Sequence, residues 1–423
     1  MQSNVLRHYA VPLVPIALAL LSSAPLPVSG ASPYERIISQ PMARRHGLER
    51  MWVTRVELDP SRGRVADVFI DGGELFVLTT RGLVHALNAE SGRTLWTARV
   101  GRRDFPSTSP AVNKDYVALT NGSTLYVLSR RSGLPVFDVS VGGSPSAGPA
   151  VGENWVCVPL SNGIVEAYHL ADRDRDRLIH AAAGIPEIAP LATPQSVVCA
   201  TKSGWIYSCV PETMAARFRI ETTGAITAPM SYVAPHIIAA SRDGYVYAFH
   251  ETEGDDIWRF SAGEAVSRRP VVIGDAIYVI PELGGLYQIS AALGVERWHA
   301  AGVDHFLAAS PTKVYAADRL GRTVVLDVKT GVRLDWLPTE ALSVKPANTV
   351  TDRIYLGSSD GLLQCLREIE LREPVRYDLP PQDGEPPMGD APDAGPPAAP
   401  PADAVPAAPP AEGDIFADPP DFG

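Results

Sequence analysis

The sequence lacks most of what concentrated chemistry requires. No two cysteines are adjacent, no Cys-x-x-Cys spacing occurs and the histidines do not cluster, which excludes a zinc cluster. Cysteine is scarce: Cys157, Cys199, Cys209 and Cys365 each lie in an apolar, strand-like run such as Trp155-Val156-Cys157-Val158. A thiol so placed behaves as a small hydrophobe, and buried free thiols rather than disulfides are expected. A basic surplus is also missing. The net charge is −11, yet from Glu373 onward eleven acidic residues face Arg376 alone, a balance of −10, so the rest of the chain sums to −1. A near-neutral body has no concentrated positive surface for nucleic acid. Sustained 3.6-residue apolar periods are nearly absent, which excludes helical repeats. No Ser-His-Asp order, phosphate loop or metal triad is present.

What is present begins with residues 1–30. Arg7 and His8 precede an apolar stretch from Tyr9 to Leu21, and small residues follow at Ser22-Ser23-Ala24 and Ser29-Gly30-Ala31. This is the pattern of a secretory signal, and it is short for a membrane span, which needs roughly 20 apolar residues. The alternative is an uncleaved N-terminal anchor. Residues 31–46 read as a linker.

The dominant signal is internal repetition. A glycine turn followed by an apolar strand recurs at Gly82, Gly122, Gly163, Gly204, Gly244, Gly284, Gly321 and Gly361, with gaps of 40, 41, 41, 40, 40, 37 and 40. Trp52, Trp96, Phe137, Ile179, Phe218, Trp258, Trp298 and Trp336 mark the strand that ends each unit, and prolines such as Pro110, Pro149 and Pro270 open it. Asp-Gly and Asn-Gly turns such as Asp243-Gly244 are strong hairpin signals. The strand after each glycine is apolar on both faces, whereas a half-solvated sheet would alternate. Sheets sandwiched between sheets are the blades of a propeller.

The last unit lacks its Trp-bearing strand, and Gly47-Leu48-Glu49-Arg50-Met51-Trp52-Val53 has the form of that missing strand. The expectation is an all-β, eight-bladed propeller of four-stranded antiparallel blades over residues 47–371. Its ring is closed by the N-terminal strand, which removes an open edge. Residues 372–423 form a Pro/Ala/Asp-rich acidic tail that cannot bury enough apolar surface to fold.

The unit end Ala86-Leu87-Asn88-Ala89-Glu90-Ser91-Gly92-Arg93-Thr94-Leu95-Trp96 has counterparts at Ala248 to Trp258 and, with one extra residue, at Leu326 to Trp336. It resembles the Ala-x-Asp-x-x-Thr-Gly-x-x-x-Trp docking motif of quinoprotein-like (PQQ-like) propeller repeats. The resemblance implies that Trp52, Trp96, Trp258, Trp298 and Trp336 are structural, each docking its blade on the next. Within that family the non-enzymatic (BamB-like) propellers of outer-membrane protein assembly compete with quinone-dependent dehydrogenases. Adjacent cysteines and long calcium-binding insertions, which the resemblance assigns to the alcohol enzymes, are missing. Asp67, Asp104, Glu187, Glu264 and Asp304 are spread over separate inter-blade segments. The expected role is therefore an exported, non-catalytic, monomeric scaffold for a protein partner in the cell envelope, meeting the membrane only through its partners. PQQ and calcium are not expected, and a quinone- or small-ligand-binding dehydrogenase is the alternative. The assembly propeller is a lipoprotein, and with no cysteine before Cys157 this chain is expected not to be lipidated.

Three features invite a binding role. Arg268, Arg269 and Lys345 precede unit-opening prolines and, with Arg102 and Arg103, form a candidate basic rim for an anionic ligand or acidic peptide, against the plainer reading of scattered surface charge. The run Asp172 to Arg177 alternates in sign and reads as a self-neutralising exposed loop. Ile415, Phe416 and Phe422 restore apolar residues at the end of the acidic tail as a candidate docking motif, against a plain solubilising tail.

Overall fold

A computed structural model describes residues 37–59 and 62–377. They form eight antiparallel sheets, seven of four strands and one of three. The first blade comprises Val65–Asp71, Glu74–Thr79, Leu83–Asn88 and Thr94–Arg99, and the next six repeat this order from Ala111, Ala150, Leu191, Ser231, Val271 and Val303. The eighth comprises Ile354–Gly357, Leu362–Glu368 and the N-terminal strand Leu48–Arg55. A single bridge, Val344 to Gly357, stands where the other blades have a regular first strand. The chain is an eight-bladed β-propeller, and Leu48 opposite Glu368 through Arg55 opposite Leu362 closes it.

Buried apolar side chains gather in eight clusters, and each cluster spans one seam between neighbouring blades. Phe76, Leu78, Val84 and Trp96 of the first blade pack with Val117, Leu119 and Leu128 of the second. The core is therefore distributed around the ring, which is why middle strands such as Trp155–Pro159 are buried at every residue. Fourth strands alternate instead, as in Thr94–Arg99, because the outermost strand faces water on one side. All four cysteines are buried and free, and burial pushes the thiols of Cys157 and Cys209 up to about 12.

Two boundaries and one turn position differ from the sequence expectation. The stretch read as a linker belongs to the ring from Ile38 onward. Gln40–Arg45 is a short helix started by Ser39, whose hydroxyl accepts from Met42 N, and Ile38 and Ala43 are buried in the seam between the seventh and eighth blades. The stretch read as tail begins later than residue 372, because Val375 N donates to Asp352 Oδ1 (2.8 Å) and Tyr377 OH to Ala309 O (3.0 Å). In the sixth blade the turn residue at positive φ is Gly285, not Gly284.

Candidate functional site

The seams are built by one repeated contact. The indole N–H of each docking tryptophan donates to the main-chain oxygen at the same turn position of the next blade: Trp52 to Ala89 (2.9 Å), Trp96 to Arg130 (2.6 Å), Trp258 to Ala291 (2.9 Å) and Trp298 to Val328 (2.9 Å). Three residues beyond each acceptor lies a glycine at positive φ, and the indole occupies the space a Cβ would need. A Cβ on Gly92 would stand 2.5 Å from the Trp52 ring, and one on Gly331 2.5 Å from Trp298. Gly92→Ala and Gly331→Ala are each expected to destabilise the ring by about 2–4 kcal/mol, combining backbone strain with overpacking. Gly274→Ala is the control. It shares a positive φ but meets nothing within 4 Å, so it should lose only about 1 kcal/mol. Denaturant midpoints of the three variants check the contrast.

Four seams lack the indole, with Phe137, Leu178, Phe218 and Asp335 at the docking position. Phe218 fills the docking place between the fourth and fifth blades, and having no N–H it leaves the Glu251 oxygen without that donor. The hydroxyls of Ser208 (2.7 Å) and Ser196 (3.1 Å) donate to it instead. The buried Glu251 side chain accepts from Tyr232 OH of its own blade (2.8 Å) and from the Thr193 hydroxyl of the fourth, completing a polar latch between the two blades. Between the third and fourth blades the place belongs to Leu178, opposite Ala167, while Ile179 is exposed. With no ring to accommodate, the next turn carries Met214 rather than glycine, at φ 55.

Trp336 does not dock, contrary to the motif reading. In the first blade the residue after the bulge, Trp96, lies opposite Ala86; in the seventh that position is Asp335, opposite Val325. Trp336 is one residue further on, and a one-residue step turns a strand side chain to the other face. Asp335 meets His46 Nδ1 at 2.5 Å; desolvation pushes its carboxyl up, but the hydrogen bonds from His46 and from Trp336 N hold it below its usual range. Trp336 is 46% exposed, whereas Trp52, Trp96 and Trp298 lie between 6% and 9%. Arg322 covers its ring at 5.0 Å, as Arg259 covers Tyr245 (4.6 Å) and Arg219 covers Trp205 (5.0 Å). In the seventh blade the cation and the aromatic have exchanged strands.

The five residues of the candidate basic rim separate into different roles. Arg268 pairs with Asp304 (3.1 Å) and Arg103 with Asp59 (3.1 Å), while Arg102 covers the Phe105 ring at 4.8 Å. Lys345 turns its ammonium to the oxygens of Thr339 (3.0 Å) and Leu342 (2.5 Å), and burial lowers its pKa. Among the described residues only Arg269 of the five is left without a carboxylate or a ring; its Nε donates to Ser231 Oγ (3.0 Å). The dispersed acids are likewise occupied. Asp104 faces Arg81 (3.8 Å), Glu187 faces Lys202 (3.0 Å), Glu264 accepts from Leu283 N (2.9 Å) and Asp67 from Val68 N (2.9 Å). They do not converge.

The alternating run is exposed, but its arginines bind the ring rather than their neighbours. Arg173 lies 3.6 Å from the Phe137 ring centre, Arg175 4.8 Å from that of Trp155, and Arg177 3.4 Å from the Glu166 carboxylate. This third-blade loop has no glycine turn, and Arg173 takes over the covering of Phe137. Ile415, Phe416 and Phe422 lie outside the described residues.

Repeat, closure and seam geometry point to one family. Residues 44–176 and 195–370 match the family model described as outer membrane protein assembly factor BamB. The chain belongs to this family. The BamB match omits residues 177–194, where the third seam replaces its aromatic with Leu178. The chain is 23% identical over 322 residues, 70% of its length, to outer membrane protein assembly factor BamB of Moranella endobia (strain PCIT), covering 73% of that protein. Its fold is similar to that of BamB from Moraxella catarrhalis, with a TM-score of 0.60 at 16% identity, covering 76% of this chain and 97% of that one. It is also similar to the C-terminal WD40 domain of Sif2, with a TM-score of 0.59 at 11% identity over 75% of this chain and 97% of that one. At such identities the structural likeness shows the fold alone, which hosts many functions.

Proposed function

We propose that the chain is an exported, non-catalytic scaffold that binds protein partners in the cell envelope during assembly of outer-membrane proteins. The BamB family match over residues 44–176 and 195–370 carries this reading. The polar groups support it: indoles, hydroxyls and arginines are used to join blades, and the dispersed acids engage surface cations or main-chain amides instead of a shared substrate position. No helix among the described residues is long and apolar enough to cross a membrane.

Depletion of the protein in its host is expected to reduce folded, heat-modifiable outer-membrane barrels, and a plasmid copy should restore them. Unchanged barrel levels overturn the proposal. Dye-linked alcohol or aldose oxidation by the purified protein supplied with quinone and calcium would replace it with a dehydrogenase.

A further inference from the structure

The loops of the sixth and seventh blades hold an arrangement that the seams do not use. Leu283 and Leu320 are 71% and 67% exposed, each in the turn between the second and third strands of its blade. Both turns are held in shape: Leu283 N donates to Glu264 Oε2 (2.9 Å), Glu282 N to Ala265 O (3.0 Å) and Leu320 N to Asp318 Oδ1 (3.0 Å). Arg319 joins them by donating from Nη2 to Leu283 O (3.0 Å). The connection that supports the first turn, through Glu264 and Ala265, runs on to Arg269.

Most cations on this face are matched. Arg242 pairs with Glu282 (2.8 Å), Arg268 with Asp304 (3.1 Å) and Arg322 with Asp318 (2.7 Å). Arg269 and Arg319 are not: among the described residues they bond only a serine hydroxyl and a main-chain oxygen. Arg269 is exposed to solvent, although desolvation by the neighbouring protein lowers its pKa. Its guanidinium remains charged at neutral pH. An arginine lacking a counterion is where an incoming carboxylate can form two-pronged, charge-assisted hydrogen bonds.

We propose that this loop face binds an extended segment of a partner protein, with a carboxylate on Arg269 and apolar side chains over Leu283 and Leu320. The proposal rests on the scaffold reading and specifies the chemistry of the partner. Preformed turns carrying two aliphatic knobs offer an anchor at small ordering cost, and arginine is the residue type that concentrates interface energy. Nucleic acid is disfavoured because the neighbouring cations are already paired, leaving no continuous positive track.

Fluorescence anisotropy on the full-length protein tests this with a labelled short peptide alternating leucine with aspartate, and its asparagine counterpart as control. The aspartate peptide is expected to bind, to weaken as salt rises, and to lose about tenfold or more in affinity with Arg269→Ala. Leu283→Ser and Leu320→Ser should also weaken it without moving the melting temperature, since both side chains are solvent-exposed; they keep the test sound if Arg269→Ala folds poorly. Equal binding of the asparagine peptide, or unchanged affinity in the variants, overturns the proposal. Binding only after residues 380–423 are removed also overturns it, assigning the face to the chain's own tail. The readout needs no envelope, so a barrel-assembly defect without peptide binding sinks this site alone. Peptide binding without such a defect sinks only the scaffold role.

Discussion

Arg353→Met is expected to lower folding stability by about 3–5 kcal/mol, the range for breaking a buried ion pair and leaving one charge behind. Arg353 is fully buried and joins three parts of the chain. Its Nε reaches both Glu90 oxygens of the first blade at 3.2 Å, its Nη1 reaches Asp352 Oδ2 and Leu371 O at 3.1 Å, and its Nη2 reaches Arg372 O at 2.8 Å. It thus ties the eighth blade to the first and pins the departing chain. Burial raises the Asp352 carboxyl above its usual range, and the Arg353 charge opposes that rise. A carboxyl raised on folding favours the folded state at low pH and loses that contribution as pH climbs through its folded value. Without Arg353 the rise is unopposed, so the variant's deficit should be larger at pH 8 than at pH 5. Glu90→Gln touches a partly exposed partner and should cost less than about 1 kcal/mol. Urea denaturation at the two pH values measures both. A deficit near that of Glu90→Gln, or one indifferent to pH, would refute the clasp.

Deleting residues 47–58 is expected to abolish cooperative melting and to cause aggregation, whereas ending the chain at Leu379 should shift the melting temperature by no more than about 2 °C. The deleted segment supplies the whole outer strand of the eighth blade and with it Trp52, whose indole joins that blade to the first. Its loss uncovers the strand Leu362–Glu368, an apolar edge that invites pairing with another chain. Ending the chain at Leu379 keeps the bonds of Val375 and Tyr377 to the ring. Circular dichroism melts and light scattering of the two truncations decide the matter; similar behaviour would show that the N-terminal strand does not hold the ring.

Most of this architecture was legible before any coordinates. Turn glycines, unit-ending aromatics and opening prolines share one period because each blade solves the same packing problem, and a strand buried on both faces has no polar alternation to hide. Gly47 to Val53 was readable as the missing strand because its apolar pattern and tryptophan had a vacancy to fill. The Trp336 assignment failed over the place of the bulge: Trp336 lies five residues after Gly331, as Trp52 lies five after Gly47, but the register shifts between Arg333 and Asp335 in the seventh blade and one residue later, between Arg50 and Trp52, in the eighth. A one-residue difference reads as tolerance in a motif and acts as a reversal of face in a strand.

The basic rim was less legible. Arg268, Arg269, Lys345, Arg102 and Arg103 look alike as a list of charges, but a side chain's availability depends on what lies across the next loop. Asp304, Asp59, the Thr339 and Leu342 oxygens and the Phe105 ring occupy four of the five. Likewise nothing in the run Asp172 to Arg177 announces that its arginines reach across to Phe137, Trp155 and Glu166.

The sequence by itself determined the blade, its count and its closure, because these follow from local periodicity and from one strand needing one edge. The tertiary structure alone decided which tryptophan docks, which arginine lacks a counterion and that the ring takes in Ile38 on one side and Tyr377 on the other. Those outcomes depend on register and on contacts between distant blades, where a shift of one residue, or one carboxylate within reach, changes what a side chain can do.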